Sequence, residues 1–253
     1  MIADRGISFV LLLLPVVYLV AGLLTYAVRA HVLGNAPVDE ELARRGESVL
    51  IGSTLRQGFA WLCLPFERFF LTSGFSPDAL TLTGCTICST GAIVIAAGDL
   101  TVGGILILYS AAFDYFDGRL ARRLGTVSRG GEFFDSTLDR YSDAFCFGSA
   151  AFYFREQPVH LAASLLAMGA AAIVPYTRAK AEALGSDLKV GLMQRPERLV
   201  MFSGAAIFAH LLDSLWPVAP GYSPTFAAAI WLLAIATTWT AVLRTRVGRN
   251  ILR

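Results

Sequence analysis

Seven stretches of this chain are apolar over about the length of a bilayer crossing, and nothing else in it restricts the fold as much. They cover residues 6–28, 79–98, 102–124, 131–154, 159–179, 197–213 and 224–243. A helix needs ~20 apolar residues to cross the hydrocarbon core, whereas a tilted strand needs only ~9–11. In lipid, each segment must satisfy its own backbone N–H and C=O groups, which at these lengths means helices. The charge content agrees: 16% of the 253 residues are charged, against about 25% in a soluble domain. The chain therefore reads as an all-α integral membrane protein, with one N-terminal transmembrane helix followed by a bundle of six.

The first stretch, residues 6–28, contains no charge. It is longer than the 7–15 apolar residues of an ordinary signal sequence, so it reads as an uncleaved anchor. The organisation expected is a transmembrane anchor over 1–30, a cytoplasmic linker over 31–64 and a main domain over 65–253. The piece TLRQGFAWLCLPFERFFLTSG mixes aromatic, apolar and cationic residues, which suits an amphipathic entry helix lying in the membrane interface. Cationic residues orient the spans. With residues 29–77 placed in the cytoplasm, 18 of the 21 Lys and Arg fall on that side, as the positive-inside rule requires. The N-terminus is then outside and the C-terminus inside. No nucleic-acid motif and no diffuse basic patch appear. Cys85 and Cys88 form a C-x-x-C inside an apolar segment with no second pair, so they read as small core residues.

Four aspartates stand out within DYFDGRLARRLGTVSRGGEFFDSTLD, at positions 114, 117, 135 and 139. An ionisable group at membrane depth costs roughly 2.5–3.5 kcal/mol on insertion scales, which makes it a functional suspect. Asp114 and Asp117 are three apart, and Asp135 and Asp139 four apart, so each pair shares one helix face. The first pair lies in the cytoplasmic half of an inward-running span and the second in the opening turns of the next. All four meet at one depth, on the side of the cationic turn at 178–198. Paired carboxylates suit hard cations such as Mg²⁺, which take oxygen ligands.

The spacing Asp-x2-Asp-Gly-x2-Ala-Arg-x8-Gly-x3-Asp-x3-Asp, on Asp114, Asp117, Gly118, Ala121, Arg122, Gly131, Asp135 and Asp139, resembles the signature of the CDP-alcohol phosphotransferase family. The resemblance covers residues ~65–250 and leaves the N-terminal span outside. It implies transfer of a phosphatidyl group from CDP-diacylglycerol to an alcohol with release of CMP. It also implies Mg²⁺ or Mn²⁺ as two ions, a homodimer, and a prokaryotic cell membrane as the location. Asp114, Asp117, Asp135 and Asp139 would be the metal ligands, and Asp139 also the general base that takes the acceptor hydroxyl's proton. Thr81, Gly118, Ala121, Arg122 and Gly131 would line the donor nucleotide. This chain has Asp78 where the family often has Asn, which leaves any Asn-specific contact in doubt. Asp143 and Arg140 read as a structural pair beside the motif.

The acceptor is sought in YTRAKAEALGSDLKVGLMQRPERL. Pro196 suits the first position of a helix, so Arg195 and Arg198 flank a helix N-terminus, where free N–H groups and the dipole favour anions. Arginine also grips phosphate bidentately. A phosphorylated acceptor needs such a cluster, and an uncharged alcohol does not. YTRAKAE and RPER look like the phosphatidylinositol-phosphate branch of the family, and Arg244 matches a family arginine expected near the acceptor phosphate. The expected acceptor is inositol 1-phosphate, held by Arg178, Lys180, Arg195, Arg198 and Arg244. Glycerol 3-phosphate, as in a phosphatidylglycerophosphate synthase, is the alternative acceptor. A cation transporter would explain the buried acids but neither the Gly and Arg spacing nor the gathering at one face.

Overall fold

The computed structural model describes residues 18, 21–38, 53–188, 190–215, 217, 219 and 221–252. Most of the anchor predicted over 6–28 and residues 39–52 of the linker predicted over 31–64 lie outside them. The described residues form eight helical segments and no strand. They are α1 (21–31), α2 (Ser53–Thr72), α3 (Pro77–Ala96), α4 (Leu100–Leu124), α5 (Arg129–Tyr153), α6 (Pro158–Ala183), α7 (Arg195–Asp213) and α8 (Pro224–Ile251). The chain divides into two compact units, Met1–Phe75 and Ser76–Arg253.

Within the first unit, two tyrosine side chains reach backbone, one that of α2 and one that of the segment just after α1. The Tyr18 hydroxyl donates to the Leu62 carbonyl at 2.9 Å, and the Tyr26 hydroxyl to that of Pro37 at 2.9 Å. Gly58 lets the helices approach, since a Cβ there would stand 3.0 Å from Leu23 and 3.2 Å from Tyr26. Helix α2 runs unbroken through Pro65, across the boundary expected at residue 64, and the unit ends at Phe75.

The helices of the second unit begin where the sequence places capping chemistry. Ser76, Ser128 and Ser223 accept from the backbone N–H three residues on, at 3.2, 3.0 and 3.0 Å. Each cap satisfies one donor that a helix start leaves free. Proline occupies the opening positions of α3, α6, α7 and α8, where its missing N–H costs nothing. Between α4 and α5, Gly125 adopts φ 66°, a left-handed conformation that glycine enters without steric penalty.

The six helices close into a ring: α3 packs on α4, α4 on α7, α7 on α8, α8 on α6, α6 on α5 and α5 back on α3. The α3–α4 contact is made by backbone. A Cβ on Gly91 would lie 2.8 Å from the Gly103 carbonyl, and one on Gly103 would lie 2.6 Å from the Gly91 carbonyl. Such small-residue contacts are how membrane helices come close without a hydrophobic driving force. The apolar core includes Ile107 of α4, Phe147 of α5 and Phe154 just past its end, Phe202 of α7, and Phe226 and Ile230 of α8. All four cysteines are free; Cys63, Cys88 and Cys146 are buried, as expected of core residues, while Cys85 is only partly so, and Cys88 and Cys146 touch between α3 and α5 at 3.6 Å.

Four helices, α3, α4, α6 and α8, are long and apolar enough to cross a membrane. Among the described residues this is fewer than the spans expected. The shortfall at α5 and α7 has one cause: these helices carry charged residues of the site, Asp135, Asp139, Arg140 and Asp143 on α5 and Arg195 and Arg198 on α7. The protein is an integral membrane protein built from helices.

Candidate active site

Asp117 lies seven residues before the end of α4 and Asp135 six after the start of α5. At a 1.5 Å rise per residue, the hairpin sets both about 10 Å from its turn. Asp114 and Asp139 follow one turn deeper. Depth alone brings the two pairs level, and the ring brings a cation to meet them. Arg195, the first residue of α7, directs its Nη1 to Asp114 Oδ2 and at 3.0 Å to Asp139 Oδ1. One guanidinium nitrogen thus bridges α4 and α5 from α7.

Each carboxylate is held differently. Asp117 is buried, and its Oδ2 accepts from the Thr81 hydroxyl of α3 at 2.7 Å, while its Oδ1 accepts from the Gly118 backbone. Thr81 was expected beside the donor nucleotide; its hydroxyl here orients an aspartate. Asp114 packs against Gly84, where a Cβ would come within 3.0 Å of Phe113 and 3.7 Å of Asp114 Oδ1. Gly84 escaped the sequence reading because its role depends on a neighbouring helix. Asp139 also has Arg140 at 3.9 Å. Asp135 is half-buried and faces the fields of Arg195 and Arg140.

One turn further into the bundle a second bridge joins α7 to α5. Arg198 Nη2 meets Asp143 Oδ2 at 2.6 Å, and Arg198 Nη1 donates to the Met193 carbonyl at 3.2 Å. Both partners are buried, at 2% and 4% exposure. This corrects the expected Arg140–Asp143 pair. Side chains on a helix lean toward its N-terminus, so Arg140 reaches back to the Ser136 carbonyl, at 3.2 Å, and to Asp139. Asp143 is left for α7.

The other predicted positions are spread around this centre. Gly118 lies under the Arg122 guanidinium, whose Nη1 would be 3.3 Å from a Cβ there. Arg122 is exposed and Ala121 partly so. The Gly131 N–H is taken by the Ser128 cap, and a Cβ at Gly131 would stand 3.7 Å from Asp78, so the starts of α3 and α5 adjoin. Of the cationic cluster, Arg178 is exposed and pairs with Glu182 at 2.8 Å, and Lys180 is exposed in the last turn of α6. Arg244 is buried, donating from Nε to the Val190 carbonyl at 2.7 Å and from Nη1 to that of Val174 at 2.8 Å. It feels both Arg178 and Arg198. Of the five cations, Arg195 alone touches the aspartates.

The donor set is carboxylate oxygen throughout, the set that Mg²⁺ and Mn²⁺ take. Among the described residues no three potential ligands already surround a single point, and Arg195 holds the Asp114 and Asp139 oxygens on one side. In chemical type the residues fit divalent cations.

The family model for CDP-alcohol phosphatidyltransferases matches residues 75–245. This chain belongs to that family. Its enzymes act with metal ions, and the chain is a transferase of this class. The match begins where the second compact unit begins. Among relatives, phosphatidylinositol phosphate synthase of Streptomyces avermitilis is 34% identical over 200 residues, covering 77% of this chain and 81% of that one. The enzyme of the same name from Mycobacterium tuberculosis H37Rv is 33% identical over 195 residues, covering 75% and 86%. A crystal structure of the M. tuberculosis phosphatidylinositol phosphate synthase with CDP-DAG bound superposes with a TM-score of 0.65 at 30% identity, over 73% of this chain and 92% of that one. Another, in complex with manganese and citrate, gives 0.65 at 30% identity, over 73% and 87%.

Proposed function

We propose that this enzyme transfers the phosphatidyl group of CDP-diacylglycerol to a hydroxyl of an inositol phosphate and releases CMP. The observation that carries the reading is the meeting of two chemistries at one point: four aspartates on α4 and α5, and Arg195 at the start of α7 in contact with two of them. The first set suits a pyrophosphate with its cations, and the second suits a phosphorylated acceptor. The names of the relatives, all at about one-third identity, support the same acceptor.

In this reading Asp114, Asp117, Asp135 and Asp139 hold two Mg²⁺ or Mn²⁺ ions, which when bound supply positive charge that neutralises the pyrophosphate and polarises the reacting phosphorus. The protein's own residues do the rest. Thr81 fixes the rotamer of Asp117. Gly118, Ala121, Arg122 and Gly131 offer low relief and one cation for the nucleotide. Asp139 accepts the proton of the attacking hydroxyl. The new bond joins the acceptor oxygen to the phosphatidyl phosphorus, and the bond that breaks is the one to the bridging oxygen, which leaves with CMP. Arg195, Arg178 and Lys180 bind the acceptor's phosphate directly, while Arg198 and Arg244 stand behind them, adding charge and pinning the 190–194 segment. The centre faces the cytoplasm, with the N-terminus outside, in a prokaryotic cell membrane and in a homodimer.

The test is CMP release by the purified full chain in detergent, with CDP-diacylglycerol and Mg²⁺. Inositol 1-phosphate, glycerol 3-phosphate, free inositol and serine are supplied separately, and Asp139→Asn is the blank. Turnover with inositol 1-phosphate alone is the expected result. Turnover with glycerol 3-phosphate instead would keep the aspartate chemistry and discard the acceptor.

A further inference from the structure

The geometry points to Arg195 as a built-in counter-cation: it holds the oxygens of Asp114 and Asp139 until a divalent ion takes them, and is then released to bind an anionic acceptor. The inference rests on the proposed metal reading and adds an order to it.

Arg195 is placed to compete, not merely to neighbour. Its Nη1 is shared between carboxylates on two different helices, so it sits between ligands that a metal ion would draw together. Its side chain is 15% exposed, and those of Asp114 and Asp139 are 23% and 18% exposed. At such depth charges are only partly screened, and four carboxylates facing one another need a cation. Two kinds of cation can meet that need at the same oxygens, and they exclude each other there.

The bridge one turn deeper explains how Arg195 can leave without α7 moving. Arg198–Asp143 is buried and independently tied to the Met193 carbonyl, so it holds the α5–α7 junction by itself. Arg195 Nε is buried without a hydrogen-bond partner, so its guanidinium is held through Nη1, leaving donors uncommitted. As the first residue of α7, Arg195 needs only side-chain rotation to turn from the carboxylates toward an anion outside. Binding is then coupled. Metal frees the guanidinium that the acceptor's phosphate requires, and by reciprocity the phosphate favours the metal-loaded state. The N-terminal dipole of α7 favours the same anion.

The test is Mn²⁺ binding, by electron paramagnetic resonance on the full chain in detergent without substrates, for wild type, Arg195→Gln and Arg140→Gln. Arg140 is the control for field alone: it lies 3.9 Å from Asp139, is 37% exposed, and its contacts stay within its own helix. Arg195→Gln should tighten Mn²⁺ roughly tenfold or more, and Arg140→Gln only about two- to threefold. A second measurement needs no variant: modification of wild-type Arg195 by phenylglyoxal, followed by peptide mass, should speed up as Mn²⁺ saturates the site. Equal gains in the two variants, or labelling unchanged by Mn²⁺, overturn the inference and leave the metal reading intact. Mn²⁺ binding by none of the proteins overturns both.

Discussion

The Arg198–Asp143 pair allows a quantitative prediction, because the chain contains its exposed counterpart. Arg178–Glu182 joins the same kinds of group at 2.8 Å with side chains 48% and 47% exposed, against 2.6 Å and 2% and 6% for Arg198–Asp143. Exposed helical pairs contribute about 0.3–0.5 kcal/mol. Removing one member of a buried pair strands the other charge and costs about 3–5 kcal/mol. Asp143→Asn should therefore destabilise by about 3–5 kcal/mol. At ~2–4 °C per kcal/mol for a chain of this size, that lowers Tm by roughly 6–20 °C. Glu182→Gln should shift it by no more than about 2 °C. The assay is thermal unfolding in one detergent, followed by tryptophan fluorescence. The double variant Asp143→Leu/Arg198→Met should recover much of the loss, because well-packed apolar residues replace a buried pair at little net cost. If Asp143→Asn and Glu182→Gln shift Tm equally, or if the double variant is worse than either single change, burial does not set the strength of this pair and the argument fails.

Other consequences can be tested more briefly. Asp139→Asn should lower CMP release by about 10²–10⁴-fold, the range for loss of a general base, while gel-filtration and thermal profiles stay those of wild type. Thr81→Val keeps the shape but removes the hydroxyl that Asp117 accepts from; Mn²⁺ affinity should fall about 10–100-fold, and an unchanged affinity would show that this hydrogen bond does not set the metal site. Gly91→Leu drives a side chain into the Gly103 carbonyl, and overpacking of this kind should cost at least about 1–3 kcal/mol in Tm measurements. Deletion of residues 1–30, outside the matched region, should leave turnover per folded molecule largely unchanged.

The sequence made the architecture and the aspartates legible because both follow local rules. Apolar length sets the helices, and spacings of three and four put Asp114 with Asp117 and Asp135 with Asp139 on shared faces. The basic residues were harder to place. Arg195, Arg198 and Arg244 are alike as sequence, yet one meets Asp114, one meets Asp143 and one meets two carbonyls. Their partners are 81, 55 and up to 70 positions away, and no periodicity encodes such pairings. Gly84, and the bond from Thr81 to Asp117, were obscure for the same reason: their partners lie on α4. The expectation that Arg140 and Asp143 form a structural pair missed the direction in which helical side chains lean, which takes Arg140 back toward Ser136 and Asp139.

The site also bears on how the protein is made. Helices α5 and α7 give up apolar composition to carry it, and neither has the hydropathy of a spanning segment among the described residues. At roughly 2.5–3.5 kcal/mol for each central charge, neither should halt in a translocon by itself. The short turn between α4 and α5 lets α5 enter as the second arm of a hairpin. Helix α7 must await α4 and α8, against which it packs. Membrane insertion and assembly of the catalytic centre would then be one event, and a nascent chain ending before α8 should hold α7 at the membrane surface.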